Sequence, residues 1–361
     1  MIRLERRPSP SQTWVYAAPI LAVILTMLAG GLLFASLGTN PVDAMRTIFW
    51  EPLFHPSFGG YLRGQLLVKA GPLILIAIGL SLGFRAGIWN IGAEGQYIIG
   101  AVCGAGFGLA FYPSEAWWIF PGMIFFGAVG GWAWSMIPAI LKVWRGTNEI
   151  LVSLMLVYVA ESIVALAATG FLRNPDARGF PGSRNLSQHP GTDNPEIFAG
   201  TGIHLGILTG FLMVVLAYIL LTRHLFGYRV QLAGQAPRAA RFHGVNPITM
   251  VLICMGFSGA LAGMAGLFEA AGPGGQIVID FGVGYGFTAI IVAFLGRLHP
   301  VGILLAGLLM ALTYVGGELA QSRMGLPASA IQAFQGMLLF FLLALDVLAN
   351  FRVKWAREVA A

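Results

Sequence analysis

The sequence predicts an all-α polytopic membrane protein with about ten transmembrane helices, and three observations carry that prediction. The 361 residues are 57% hydrophobic and only 10% charged, against roughly 25% charged in an average soluble domain. Apolar stretches of membrane-spanning length recur from Trp14 almost to the C-terminus. The breaks between them alternate in Lys and Arg content, as the loops of a multi-span protein do. The formal charge of +6 does not indicate nucleic acid, because the basic residues are scattered between apolar segments and form no stripe.

A span needs roughly 20 apolar residues at 1.5 Å each. Residues 1–13 form an N-terminal tail carrying Arg3, Arg6 and Arg7, and residues 14–349 a single membrane domain. The first span, Trp14 to Leu37, lacks a small-residue cleavage site and is read as a retained helix. Asn40 and Pro41 supply an N-cap and first helical position for an interfacial helix reaching Trp50, with Met45, Ile48 and Phe49 on one side. The second to fifth spans are Leu66 to Phe84, Gly95 to Tyr112, Trp117 to Leu141 and Ile150 to Phe171. An irregular extracytoplasmic cap over residues 172–203, rich in Pro and Gly, leads to the sixth span, His204 to Leu221. After the loop 222–247 come Ile248 to Phe268, Tyr285 to Leu298 (the shortest), Val301 to Leu319 and Ser329 to Leu348, and a tail at 350–361. Gly100, Gly104 and Gly108, Gly127 and Gly131, and Gly259 and Gly263 make small-residue ladders at the i, i+4 spacing that lets helices pack closely.

Charge sets the orientation. With the N-terminus inside, the inner loops hold Arg3, Arg6, Arg7, Arg85, Lys142, Arg145, Arg223, Arg229, Arg238, Arg241, Arg297, Arg352, Lys354 and Arg357, two-thirds of the 21 Lys and Arg. Both termini are expected in the cytoplasm. The span order permits two inverted halves of five, although no residue-level repeat stands out.

Several chemistries have no motif. No Gly-x-x-x-x-Gly-Lys-[Ser/Thr] loop is present, and Lys69, Lys142 and Lys354 lie in no glycine cradle, so ATP is expected on another chain. The six histidines show no zinc-ligand spacing, and neither Gly-x-Ser-x-Gly nor His-Glu-x-x-His occurs, so no metal, cofactor or enzymatic site is expected. Cys103 and Cys254 lie in apolar segments and read as small hydrophobes.

The loop 222–247 is the most informative. Pro237 suits a helix first turn and Gly244 a left-handed stop, predicting about two helical turns in which Ala239 and Ala240 allow a partner to approach. So short a helix needs a docking surface, unless the segment is only a solvated basic loop.

Ala239-Ala240-Arg241-Phe242 followed by Gly244-Val245 resembles the coupling-loop motif of the permease subunits of ribose, nucleoside and branched-chain amino-acid ABC importers. Phe84-Arg85-Ala86-Gly87-Ile88-Trp89-Asn90-Ile91-Gly92-Ala93-Glu94-Gly95-Gln96 and Gly146-Thr147-Asn148-Glu149-Ile150 are similar to two further segments of that family, in its nucleoside and simple-sugar branch. Phe242 replaces the family's common aromatic hydroxyl, and Gln235-Ala236 a more polar pair. The resemblance implies a permease in a bacterial cytoplasmic (inner) membrane, importing a nucleoside or simple sugar. It also implies a second permease chain, cytoplasmic ATPase domains that hold ATP and Mg, and an extracytoplasmic solute-binding protein. Gly234, Pro237, Arg238, Ala239, Ala240, Arg241, Phe242, Gly244 and Val245 would form the ATPase-coupling loop.

Polar groups in or beside apolar spans are expensive and usually face a bundle interior or a wet cavity. They single out Asn90, Glu94 and Gln96, Asn148 and Glu149, Tyr158 and Glu161, and Glu269 and Gln276 as pathway candidates. The interruptions between Asn90 and Gln96 predict a broken backbone that is buried or lines a cavity. Glu161, near the middle of its span with Tyr158 and Ser162 within a turn, suits contact with sugar hydroxyls or a packing role. Glu94 and Glu149 are placed near cytoplasmic ends, where capping or gating is expected. The alternative, an ion-coupled transporter or channel, needs several carboxylates at mid-membrane depth, and only Glu161 lies clearly there.

Overall fold

The computed structural model describes residues 2–6, 11–177, 179–198 and 200–355. In chain order the elements are β1 (Ile2–Arg6), α1 (Gln12–Ser36), α2 (Pro41–Phe49), α3 (Glu51–Phe54), α4 (Gly59–Arg85), α5 (Ala93–Ala110), α6 (Ile119–Arg145), α7 (Glu149–Thr169), α8 (Leu205–Thr222), α9 (Leu225–Gln235), α10 (Pro237–Phe242), α11 (Pro247–Ala271), α12 (Tyr285–Leu295), α13 (Pro300–Met324), α14 (Ala328–Asn350) and β2 (Phe351–Trp355). Arg7, Arg357 and the tail segments 7–10 and 356–361 lie outside the described residues.

Among the described residues eight helices are long and apolar enough to cross a membrane: α1, α4, α6, α7, α8, α11, α13 and α14. The expected third and eighth spans fall short, each for a physical reason. The third is α5, 18 residues long, whose first turn holds Glu94 and Gln96 and is buried. The eighth is α12, only 11 residues, and it stops at Gly296 because Arg297 and Leu298 turn left-handed at φ of 56° and 57°. At 1.5 Å per residue it is about 16 Å long, half of a hydrocarbon core of about 30 Å.

The chain divides into two compact units. One comprises residues 1–59 and 312–361. There α1 packs along α14, and α2 lies against α1. Asn40 caps α2 by accepting from Val42 N at 3.0 Å, and Pro41 occupies the first turn, where a missing N–H costs nothing. Ile48 is buried in a cluster with Phe34, Ala44, Ile331 and Phe334, and Met45 and Phe49 pack against it. Both tails enter an antiparallel ribbon in which β1 pairs with β2, Ile2 opposite Trp355 and Arg6 opposite Phe351.

The other unit, residues 60–311, is built on α5, α6 and α11. Gly100 faces Gly263 and Gly131 faces Gly259 so closely that a Cβ on Gly100 or Gly131 would overlap the opposing backbone. Burial of α4 is nearly complete, with Gly71 against Ile207 of α8 and Gly79 against Ser258 of α11. Among its described residues the cap at 172–203 contains no helix and is tied down by single bridges, Arg173 to Ser183, Gly182 to Val278 and Glu196 to His204. The loop 222–247 holds two helices rather than one: α9 precedes α10, capped by His224 Nδ1 accepting from Phe226 N at 3.1 Å.

Candidate functional site

The segment from Ala86 to Gly92 leaves the helical state between α4 and α5, as its polar interruptions predict. Its buried polar groups satisfy one another. Asn90 Nδ2 donates to Gln96 Oε1 at 2.8 Å and to Ser258 Oγ at 3.0 Å, while Gln96 Nε2 donates back to Asn90 Oδ1 at 3.0 Å. All three residues are at most 1% exposed, so this cluster pins the connector to α11 and leaves little for a solute.

Glu94 reaches across to α12, where its carboxylate accepts from Gly284 N at 2.8 Å and Gly286 N at 2.5 Å. These are donors at the N-terminus of α12, and an anion there also meets the positive end of the helix dipole. At the other end of α12, Arg85 donates to the Leu298 carbonyl from Nε at 3.0 Å and Nη2 at 2.7 Å. Phe84, Trp89 and Phe294 stack beside it with centroids 5.0–5.6 Å apart. Arg85 and Glu94 thus hold opposite ends of α12, a helix about 16 Å long.

Asn148 caps α7, accepting from Ile150 N at 2.9 Å. Glu149 pairs with Lys142 of α6 and receives Trp89 N at 3.5 Å. Twelve residues further along α7, Glu161 is exposed beside Tyr158, itself 58% exposed, and Ser162. With Asp280 and Gly282 they line an open cavity of about 570 Å³. Glu269 and Gln276 do not join it: Glu269 is half-buried in the last turn of α11, and Gln276 is half-buried in the connector beyond. Asp280 escaped the sequence reading because it falls between spans; the glycines at 282, 284 and 286 beside it were the available signal for backbone donors.

In α10, Pro237 starts the helix and Gly244, with φ of 73°, follows its end. Ala240 is fully buried, in a helix that packs on α9 and α11, so its side chain is not open to a partner. Its carbonyl accepts from Val245 N at 2.9 Å. Ala239 is half-buried, Arg238 and Arg241 are exposed, and Phe242 is 92% exposed. Gly234 of α9 lies directly on the Arg85 carbonyl and Gly87.

The family described as branched-chain amino acid transport system, permease component, matches residues 62–343. The glucose ABC transporter permease protein TsgB13 of Haloferax volcanii is 33% identical, the alignment covering 98% of this chain and 93% of that protein. The nucleoside ABC transporter permease protein NupB of Lactococcus lactis subsp. cremoris is 24% identical over 90% of this chain and 89% of its own. The guanosine ABC transporter permease protein NupP of Bacillus subtilis is 26% identical over 90% and 91%. No solved structure matches.

Proposed function

Because the chain belongs to the permease-component family of branched-chain amino acid transport systems, and is a permease subunit of an ABC importer, we propose that its solute is a nucleoside or simple sugar passing along the open face of α7. The names of its relatives, which act on glucose, nucleosides and guanosine, support that solute class. One observation carries the path: Glu161, well inside α7, and Asp280 line an exposed cavity. A carboxylate facing lipid at mid-depth costs ~2.5 kcal/mol or more, so this face meets water and protein instead. A second permease chain covers it, and the solute runs between the two, with Tyr158, Glu161, Ser162 and Asp280 accepting and donating to hydroxyls.

The remaining parts follow the same reading. Cytoplasmic ATPases bind ATP and Mg, and α10 docks on them through Phe242, Arg238 and Arg241. A solute-binding protein delivers from the other side. The chain crosses the membrane of the cell ten times, α5 and the connector with α12 adding two crossings to the eight long helices, and both termini are cytoplasmic. An inverted arrangement of the two halves is supported by the non-helical connectors that precede both α5 and α12.

The test is uptake of labelled guanosine, ribose and glucose by the importer reconstituted with its ATPase, second permease and binding protein. Glu161→Gln is expected to lower uptake roughly tenfold, the scale of one charge-assisted hydrogen bond, without loss of assembly. Unchanged uptake in that variant would remove the path from this face, and transport of amino acids alone would overturn the solute class.

A further inference from the structure

The lip that leads into α12, residues 279–284, belongs to no helix or strand, so its place is set by what it touches on its neighbours. Asp280 and Gly282 are exposed and line the cavity that holds Glu161, while Phe281 between them is 5% exposed. Phe281 stacks on Tyr97 of α5, with ring centroids 5.4 Å and planes 19° apart. Beyond Gly282, Glu94 of α5 accepts from Gly284 N and Gly286 N, one N–H to each carboxylate oxygen. Glu94 and Tyr97 are three residues apart and so share a face of α5. That one face holds the lip at two points, one on either side of Gly282.

The hold depends on glycine on one side and on a carboxylate on the other. Gly284 has a φ of 83°, and a Cβ on Gly286 would overlap the Glu94 backbone, so neither position accepts a side chain without strain. Glu94 is 1% exposed with both oxygens engaged by backbone N–H groups, and it does not line the cavity. An amide of the same shape offers one oxygen only. Its NH2 would meet a backbone donor, leaving a buried N–H without an acceptor. Glutamine would therefore fill the space that Glu94 fills and still release one end of the lip.

We propose that Glu94 is a positioning residue for transport: by fixing Gly284 and Gly286 it holds the lip so that Asp280 is presented to the solute in the cavity it shares with Glu161. Glu94 touches no solute and acts through Asp280 alone. Phe281, stacked on Tyr97, serves the same end from the other side of Gly282. Without these two anchors the glycines of the lip leave its backbone free to take up other conformations, and the carboxylate of Asp280 is no longer held in one place. This inference rests on the path along α7 and names what keeps one wall of that path in register.

The experiment is a double-mutant cycle in the complete importer, reading the half-saturating concentration and maximal rate of uptake of labelled guanosine, ribose and glucose. Glu94→Gln keeps the shape and removes one acceptor, and Asp280→Asn removes the presented carboxylate at an exposed position. Each variant alone is expected to raise the half-saturating concentration about tenfold, the scale of one hydrogen bond, with the maximal rate changed less than about threefold. The double variant is expected to match Asp280→Asn, because a loosened lip then has no carboxylate to misplace. A further tenfold or so in the double variant would place the action of Glu94 elsewhere and overturn the inference. A lowered maximal rate with unchanged half-saturation in Glu94→Gln would overturn it too, as a merely structural role. Should Glu94→Gln fail to fold, Phe281→Leu, which loosens the other anchor and leaves both carboxylate bonds in place, enters the same cycle with the same expected and contrary results. Asp280→Asn without effect on uptake would refute the path along α7 and this inference with it. An effect of Asp280→Asn with none of Glu94→Gln would leave the path standing and remove the positioning role.

Discussion

At His204 the side chain that caps α8 is also removed from water, and the two roles fix its charge. Burial pushes the imidazole down to about 4, partly opposed by the Glu196 carboxylate. An unfolded histidine titrates near 6.5, so between roughly pH 6.5 and 4 the unfolded chain takes up a proton that the folded chain refuses. Stability is therefore expected to be full above pH 6.5 and to fall as the pH drops toward 4, by about 3 kcal/mol from this residue. Asp193, held above the usual carboxylate range first by burial and then by Glu196, works in the opposite sense nearer pH 4. Thermal unfolding of the detergent-solubilised protein across pH 4–7.5 checks this: the slope should flatten in His204→Asn, and an equal slope in both proteins would contradict a buried neutral imidazole. The sequence marked Asn90, Glu94 and Gln96 as polar groups in apolar surroundings but could not name their partners. Ser258 and Gly284 lie more than 160 residues away, and such pairing exists only once the helices pack.

Among the elements, α10 shows most sharply what local pattern can and cannot reveal. Pro237 and Gly244 bounded it legibly, because fixed φ and left-handed φ are properties of single residues. Which face is free depends on α9 and α11, which leave Ala240 buried and Phe242 exposed. Phe242→Ala is expected to leave the thermal stability of the permease within ~0.5 kcal/mol, since an exposed side chain supports little of the fold. ATPase association should weaken about thirtyfold, a typical loss for an aromatic interface anchor. Ala240→Trp should instead destabilise the permease itself by ~1–3 kcal/mol through overpacking. Co-purification of the ATPase with each variant, together with melting curves, separates the two; an ATPase that remains bound to Phe242→Ala would exclude that side chain as the anchor. Helices α5 and α12 were harder to read, because hydropathy assumes that a crossing segment faces lipid, whereas α5 is shielded by α6, α7 and α11 and its polar start needs no apolar length.

For the whole molecule the terminal ribbon is decisive. Pairing of β1 with β2 sets the two ends of the described chain side by side, as an even number of crossings would require. The alternating residues Ile2-Arg3-Leu4-Glu5-Arg6 carried a strand signal, but five residues are too few to stand out beside 25-residue helices. Single cysteines at Leu4 and Val353, in a background lacking Cys103 and Cys254, are expected to resist a membrane-impermeant maleimide in intact cells and to react in inverted vesicles. Labelling of one from each side would break the ribbon. The eight long spans were legible because composition alone selects them; the expected segments Gly95 to Tyr112 and Tyr285 to Leu298 fell on α5 and α12, but the contacts between the two were not legible. Glu94 and Arg85 grip the two ends of α12, and Gly234 rests with no clearance on the backbone beside Arg85. A column of contacts thus runs from the loop that would touch the ATPase up through α12 to the start of α5. A push at its foot would meet packed backbone all the way to a point about 16 Å higher, as a stroke meets a piston rod.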